Sequence, residues 1–68
     1  MTTYGKLYDE AIRRVREALP HATVRRSGAV VRVDVGPHTA YMMPETINEL
    51  DDMGITYLVE GLIYGRRN

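Results

Sequence analysis

Arginine has the clearest capacity for chemistry in this chain, because its planar guanidinium donates two parallel hydrogen bonds to a phosphate or a carboxylate. The sequence contains eight arginines and one lysine. Arg25, Arg26 and Arg32 have few acidic neighbours in the sequence and are the candidates for binding an anion. Together with Tyr41 or Tyr64, on which bases would stack, they predict a nucleic-acid-binding site. The competing interpretation is that these arginines only face solvent.

Two other arginines have acidic residues four positions before them. Asp9 precedes Arg13, and Glu10 precedes Arg14. Ion pairs at this spacing lie on the surface of a helix and stabilise it slightly. We therefore expect Arg13 and Arg14 to belong to the solvated surface of a helix and to take no part in a binding site.

The second half of the chain carries the opposite charge, with no lysine or arginine between Gly36 and Gly65. Glu45, Glu49 and Asp52 have the spacing that places three carboxylates on one side of a helix, and we call them the acidic ridge. Like charges four residues apart destabilise a helix, so helix stability does not explain this arrangement. The acidic ridge predicts a docking surface for a basic partner. The alternative is that it faces water or the basic half of the same molecule.

Residues suited to catalysis or metal binding are few. His21 and His38 lie in or beside predicted turns and lack the spacing of metal ligands. Cysteine is absent, and the only serine, Ser27, precedes Gly28 in a predicted tight turn rather than in a strand–serine–helix elbow. We therefore expect no catalytic residue, no metal site, no cofactor and no small-molecule substrate, and hence no enzyme.

Length and composition set the scale for any site. The chain has 68 residues, which predicts a single domain over 1–68 with a frayed end at 65–68. Nine basic and nine acidic side chains give a formal net charge of zero, which argues against a polyanion-binding tail. No apolar run approaches the roughly 18 residues of a membrane span, and the N-terminus lacks the layout of a signal peptide. We expect a cytoplasmic protein without membrane association.

The first element is predicted to be an amphipathic helix. Thr2 or Thr3 is suited to cap its start, and Pro20 disfavours helical backbone at the residue before it and so marks the end. Its apolar residues recur at helical spacing and form one buried stripe: Leu7, Tyr8, Ala11, Ile12, Val15, Ala18 and Leu19.

The spacing of apolar residues then changes from 3.6 to 2, which indicates strands. Ser27 and Gly28 separate two such runs and predict a hairpin turn, because glycine tolerates the positive φ that tight turns require. Gly36 and Pro37 form a second turn signal, after which the segment 38–43 is predicted to return as a third strand.

The remaining residues predict a short helix and a last strand. Pro44 suits the first turn of a helix, and Gly54 suits the C-cap that ends it. The segment 55–64 is rich in β-branched and aromatic residues, which favours a strand. The predicted class is therefore α+β, in the order α-β-β-(β)-α-β, with one mainly antiparallel sheet and two helices on one of its faces.

The predicted last strand is apolar on both sides, and two short helices cover only one face of a small sheet. On this interpretation Leu58, Leu62 and Tyr64 lie with Tyr41 on the outer face of the sheet and form an interface. Tyrosine mixed with aliphatic side chains is typical of an interface core. We expect this face to bind a second copy of the chain or another protein, unless the C-terminal tail folds over it.

These observations favour a non-enzymatic protein–protein interaction module, either a homodimer or a small accessory or inhibitor protein. In one specific version, a phage- or plasmid-borne inhibitor uses the acidic ridge to bind a host complex that handles nucleic acid. The alternative function is a small nucleic-acid-binding protein that uses Arg25, Arg26 and Arg32 with tyrosines.

Overall fold

A computed structural model describes residues 3–65. The α+β class predicted from the sequence is confirmed, with three antiparallel strands in one sheet. The elements are, in chain order, α1 (Thr3–Ala18), β1 (Thr23–Ser27), β2 (Val30–Val35), β3 (His38–Met42), α2 (Pro44–Asn48) and α3 (Asp52–Tyr64).

Helix α1 forms where the apolar stripe predicts it. Ala11 and Val15 are completely buried, and Tyr8 and Leu19 are nearly so, because they recur on the side of the helix that faces the rest of the molecule. The last helical turn closes when the Leu19 amide donates to the Val15 carbonyl at 2.8 Å. Pro20 follows directly, so the predicted end of the first helix is confirmed to within two residues.

The sheet is a meander in the order β1-β2-β3, and the predicted third strand is confirmed. Gly28 and Gly36 adopt φ values of 62° and 60° in the two connecting turns, a conformation that a side chain makes costly. The turns set a register in which alternate residues share a face. The residues on the core face are buried: Val24, Val31, Val33, Ala40 and Met42.

The predicted second helix is divided into two. Helix α2 ends at Asn48, and α3 begins after Asp51, whose Oδ1 accepts a hydrogen bond from the Gly54 amide at 2.8 Å. Asp51 is therefore an N-cap, which satisfies a backbone donor that has no partner within the helix. Gly54 lies in the first turn of α3, and the prediction that it is a C-cap is wrong.

The predicted last strand is also wrong, because the segment from Asp52 to Tyr64 is the helix α3. Ile55 and Val59 are four residues apart and both are buried, so one side of a helix places them in the core together. This packing outweighs the preference of β-branched residues for strands, which is weak and depends on context. The helix ends at Gly65, which has φ 59° and donates its amide to the Gly61 carbonyl.

The three helices lie on one face of the sheet. Helix α1 contacts β1, β2 and both other helices, whereas α3 contacts β3 at the opposite edge. The other face of the sheet is left uncovered by residues 3–65, where Arg25 and Tyr41 are exposed. The predicted frayed end falls outside the described residues apart from Gly65. No helix within the described range is long and apolar enough to cross a membrane.

Candidate interaction surfaces

Helix α3 exposes large apolar side chains on the side opposite its buried residues. Met53, Tyr57 and Tyr64 are 81%, 72% and 64% exposed. At 3.6 residues per turn they fall within about 40° of one another around the helix axis. We call these three residues the outer stripe of α3. Asp52 and Glu60 are the only charged residues in the helix, so α3 is apolar around most of its circumference although one side faces solvent.

Shallow clefts follow the outer stripe. One of about 340 Å³ lies beside Met53 and Tyr57, and two smaller ones lie on either side of Gly61. All three clefts have Tyr57 in their walls. A Cβ added at Gly61 would have no atom of the described chain within 4 Å, so the backbone is open to close approach there. The outer stripe therefore combines protruding rings with gaps between them.

The predicted interface on the sheet is wrong in its placement. Leu58, Leu62 and Tyr64 lie on α3, whereas Tyr41 lies on the outer face of the sheet. Leu58 packs partly against the core, and Leu62 remains half exposed. The Tyr64 ring contacts the His38 ring edge-on at 5.6 Å between centroids. Of these four residues, only Tyr64 belongs to the outer stripe.

Sequence reasoning missed Met53 and Tyr57. Neither residue is among the site residues that the sequence predicts, because residue 53 falls in the predicted second helix and residue 57 in the predicted last strand. The spacing 53, 57, 60, 64 alternates between four and three residues, which is the spacing of one helix face. That signal was present, but the β-branched residues between these positions favoured the other interpretation.

The acidic ridge does not lie on one helix. Glu45 is in the first turn of α2, Glu49 follows its last residue, and Asp52 begins α3. All three carboxylates are exposed. Asp52 is 4.0 Å from the Arg14 guanidinium, at the limit of an ion pair. The structure thus retains acidic residues along this part of the surface, but the single-helix arrangement that defined the ridge is wrong.

Arg14 does not extend into solvent from the surface of α1, but binds backbone carbonyls where α2 ends. Its guanidinium donates to the carbonyls of Ile47, Asn48 and Leu50. The Ile47 carbonyl also accepts a hydrogen bond from the Leu50 amide at 3.1 Å. Carbonyls at the end of a helix need partners from outside the helix, and Arg14 supplies them here. Arg14 therefore joins α1 to the turn between α2 and α3, and the predicted Glu10–Arg14 surface pair is wrong.

The glutamates of α1 pair with Arg13 instead. Glu10 and Glu17 lie 2.5 Å and 2.8 Å from its guanidinium nitrogens. The hydrogen bond from Arg13 to Glu10 and the charge of Glu10 raise the pKa of Arg13, with a smaller effect from Glu17. The predicted surface role of Arg13 is confirmed with these partners in place of Asp9.

The three hairpin arginines do not share a face. Arg25 lies opposite Arg32, and Arg32 lies opposite Tyr41, so these three residues form a row across the outer face of the sheet. Arg26 belongs to the other face of β1. Its guanidinium carbon is 3.9 Å from the centroid of the Tyr8 ring, and its Nε donates to the Gly28 carbonyl at 2.9 Å.

Asp34 is the carboxylate next to this row. The Thr39 hydroxyl donates to its Oδ1 at 2.6 Å, and the Arg32 Nε donates to the same oxygen at 3.1 Å. These bonds favour the charged form and lower the pKa of Asp34, with Thr39 the largest cause and Arg32 and Arg25 contributing. The pair that Arg32 makes with Asp34 leaves Arg25 as the less engaged of the two arginines.

Replacing Thr39 by valine is expected to raise the pKa of Asp34 towards its ordinary value, because the largest cause of the depression is lost. A depressed pKa stabilises the fold above the ordinary pKa, and this stabilisation disappears as the pH falls through the folded-state pKa. The carboxyl carbon shift of Asp34, followed by NMR between about pH 2 and 6, measures the change. Thr23→Val, directly across the strand pair from Asp34, is the control and should leave the titration unchanged. A Thr39→Val titration identical to that of the unmodified protein would contradict the assignment.

Beside β1, a groove of about 560 Å³ separates the strand from α1. Arg16 donates to the Val24 carbonyl at 3.1 Å on this edge strand. The groove is lined by Asp9, Ile12, Arg13, Arg16, Glu17, Val24, Arg25 and Arg26. Sequence reasoning separated the helix arginines from the strand arginines and so missed this groove, which forms only when α1 packs beside β1.

Groups able to hold a metal ion, counted as three or more clustered His, Asp or Glu, are absent from the part of the chain that the structure describes. Comparisons with protein-family models, with curated proteins and with solved structures each give no match to this chain.

Proposed function

We propose that this protein is a non-enzymatic protein–protein interaction module that acts as a homodimer through the outer stripe of α3. The observation that supports this proposal is the exposure of Met53, Tyr57 and Tyr64 on a helix that is apolar around most of its circumference. Such helices are normally buried on all sides. The described residues 3–65 leave this side of α3 exposed, and we infer that another molecule covers it.

A second copy is the occupant that fits the sequence of α3. If two α3 helices pack antiparallel with residue 53 opposite residue 64, then Tyr57 lies opposite Glu60 in the same register. A contact between Met53 of one copy and Tyr64 of the other is favourable, because the methionine sulfur packs well against an aromatic ring. Because a two-fold axis repeats every contact, each of these pairs forms twice.

Charge supports the same antiparallel register. The antiparallel register keeps Asp51 and Asp52 of one copy away from the same two residues of the other copy. Antiparallel helices also place opposite ends of their dipoles side by side. A parallel pair would instead bring Asp51 and Asp52 of the two copies together.

The size of the stripe predicts the strength of the dimer. Thirteen residues of helix extend over about 20 Å. This length presents less than the ~800 Å² per partner of a standard stable interface. We therefore expect association at micromolar concentrations rather than a permanent dimer.

Replacing Met53 by lysine is expected to abolish dimer formation, because it places a charge in the apolar contact that the dimer buries. Sedimentation equilibrium from about 1 to about 500 µM should show the unmodified chain moving from 7.7 kDa towards twice that mass. Met43→Lys is the matched control, since Met43 is also an exposed methionine but lies outside α3. It should dimerise normally. An unmodified chain that stays monomeric over this range would refute the proposal.

Replacing Gly61 by alanine is expected to have opposite effects on the stability of the single chain and on the affinity of the dimer. Within one described copy the added methyl group has open space, so we expect α3 to gain about 0.5–1 kcal/mol of stability. In the dimer the same methyl group lies beside the contact and should weaken association. Thermal unfolding in dilute solution and sedimentation together measure both effects. Equal or stronger dimerisation of Gly61→Ala would contradict this geometry.

A further inference from the structure

We propose that the groove between α1 and β1 and the outer face of the sheet together form a binding surface for single-stranded nucleic acid. This surface is separate from the outer stripe of α3. We call it the arginine strip and define it as Arg16, Arg25, Arg32 and Tyr41. The α1–β1 groove and the row across the sheet share Arg25, which makes the strip continuous.

The charge of the strip favours an anionic ligand. Four arginines and two carboxylates line the groove, and Arg32 extends the positive charge across the sheet towards Tyr41. Arg13 is held by Glu10 and Glu17, but Arg25 donates no hydrogen bond within the described part of the chain. The acidic residues of the second half of the sequence lie on α2, on α3 and between them. A polyanion that follows the strip therefore avoids them.

The pairing of Arg25 with Arg32 has no structural benefit of its own. Like charges directly opposite each other on neighbouring strands destabilise a sheet. Asp34 offsets part of this repulsion through its hydrogen bond with Arg32. A phosphate held between the two guanidinium groups would remove the rest, and the fork of arginine suits phosphate oxygens.

Tyr41 determines which class of polyanion fits. Its side chain is 56% exposed at the end of the row, on a sheet face that the described chain leaves open. A tyrosine ring in this position offers a stacking surface to a base, and bases are free to stack on protein rings when they are single-stranded. An acidic peptide would use the arginines but would gain little from the ring.

Fluorescence anisotropy with labelled single-stranded DNA and RNA of about 12 nucleotides tests the proposal. We expect micromolar binding at about 50 mM salt. If about three phosphates are neutralised, log K falls with log salt at a slope near −2, so fourfold more salt weakens binding by more than tenfold. The absence of binding to either oligonucleotide at about 50 mM salt would overturn the proposal.

Three variants assign the binding to the strip. Arg25→Gln should weaken binding about tenfold and reduce the salt slope by about one, because a phosphate contact is lost. Tyr41→Ala should weaken binding about tenfold with an unchanged salt slope, because stacking is lost. Lys6→Gln removes one positive charge from α1 outside the strip and should have less than a twofold effect. Equal losses from Arg25→Gln and Lys6→Gln would overturn the assignment.

Competition separates nucleic acid from acidic proteins. A poly-glutamate peptide of matched charge should displace the oligonucleotide poorly, because it has no base to place on Tyr41. Displacement as efficient as that by unlabelled oligonucleotide would identify an acidic protein as the ligand and overturn the proposal. Met53→Lys is expected to be monomeric on the dimer proposal. Because each copy carries its own arginine strip, this variant should still bind the oligonucleotide.

Discussion

Replacing Ile55 by alanine is expected to lower the free energy of unfolding by about 3 kcal/mol. Ile55 is completely buried in the core between α3 and the rest of the molecule. Truncation removes buried methyl groups and leaves a cavity, which costs about 2–5 kcal/mol for isoleucine. A domain of this size has only a few kcal/mol of stability, so a large part of the population should unfold at room temperature. Urea denaturation followed by circular dichroism measures the change.

Tyr57→Ala is the matched control for Ile55→Ala. The two residues are two positions apart, and a strand would place them on the same face of the sheet. In helix α3 they lie on opposite sides, and Tyr57 is 72% exposed. In dilute solution Tyr57→Ala should lower the free energy of unfolding by much less than Ile55→Ala, because truncation of an exposed side chain leaves no buried cavity. Equal destabilisation by the two substitutions would contradict the helix and favour the strand.

Replacing Arg14 by alanine is expected to lower the free energy of unfolding by about 2–3 kcal/mol. Its guanidinium donates to three carbonyls where α2 ends, and its side chain is only 21% exposed. Removing the donor takes away the hydrogen bonds to the Asn48 and Leu50 carbonyls, and an unsatisfied, partly buried acceptor costs more than the bond itself contributes. Thermal unfolding should show a midpoint lower by more than about 10 °C.

Two further variants distinguish the geometry of Arg14 from its charge. Arg14→Lys keeps the charge but has no fork, so it should recover at most half of the lost stability. Arg13→Ala removes an arginine from the adjacent position, where the side chain is exposed, and should leave the unfolding midpoint almost unchanged. If Arg14→Ala were as harmless as Arg13→Ala, the bonds to the α2 carbonyls would have no role in stability.

The first two-thirds of the fold followed from local patterns in the sequence. The helical spacing of Ala11 and Val15 and the alternation of Val31 and Val33 each indicate one element type, and glycines mark the turns between the strands. The predictions agree with the structure because the apolar residues that recur at helical or strand spacing in these elements are the residues that are buried. The three strands and α1 were therefore predictable without knowledge of their neighbours.

The last third was not predictable in this way. Ile55, Val59 and Ile63 fit one side of a strand by parity and one side of a helix by their spacing of four. The β-branched residues favour a strand by their local preference. Packing of the segment against α1 and β3 instead stabilises the helix. Asp51 is a good N-cap by type, but Gly54 three residues later gave the competing signal of a helix end.

Most of the candidate sites depended on contacts that no local pattern encodes. Arg14 lies more than thirty residues from the carbonyls that it binds, and nothing near it in the sequence indicates them. The row of Arg25, Arg32 and Tyr41 follows from the register of two hairpins, so the residue types were predictable and their alignment was not. Arg26 was grouped with them by sequence, but the alternation of the strand turns it to the other face.

The hydrogen bond from Arg16 to the Val24 carbonyl affects how this protein resists polymerisation. An outermost strand invites further strands from neighbouring molecules, which is how fibrils with a cross-β repeat grow. On β1 a guanidinium already binds one of the acceptors that an incoming strand would need. The same cation would also have to be displaced and desolvated before a ribbon of stacked copies could extend. This contact therefore disfavours fibril growth from β1, while α3 remains available for a closed pair.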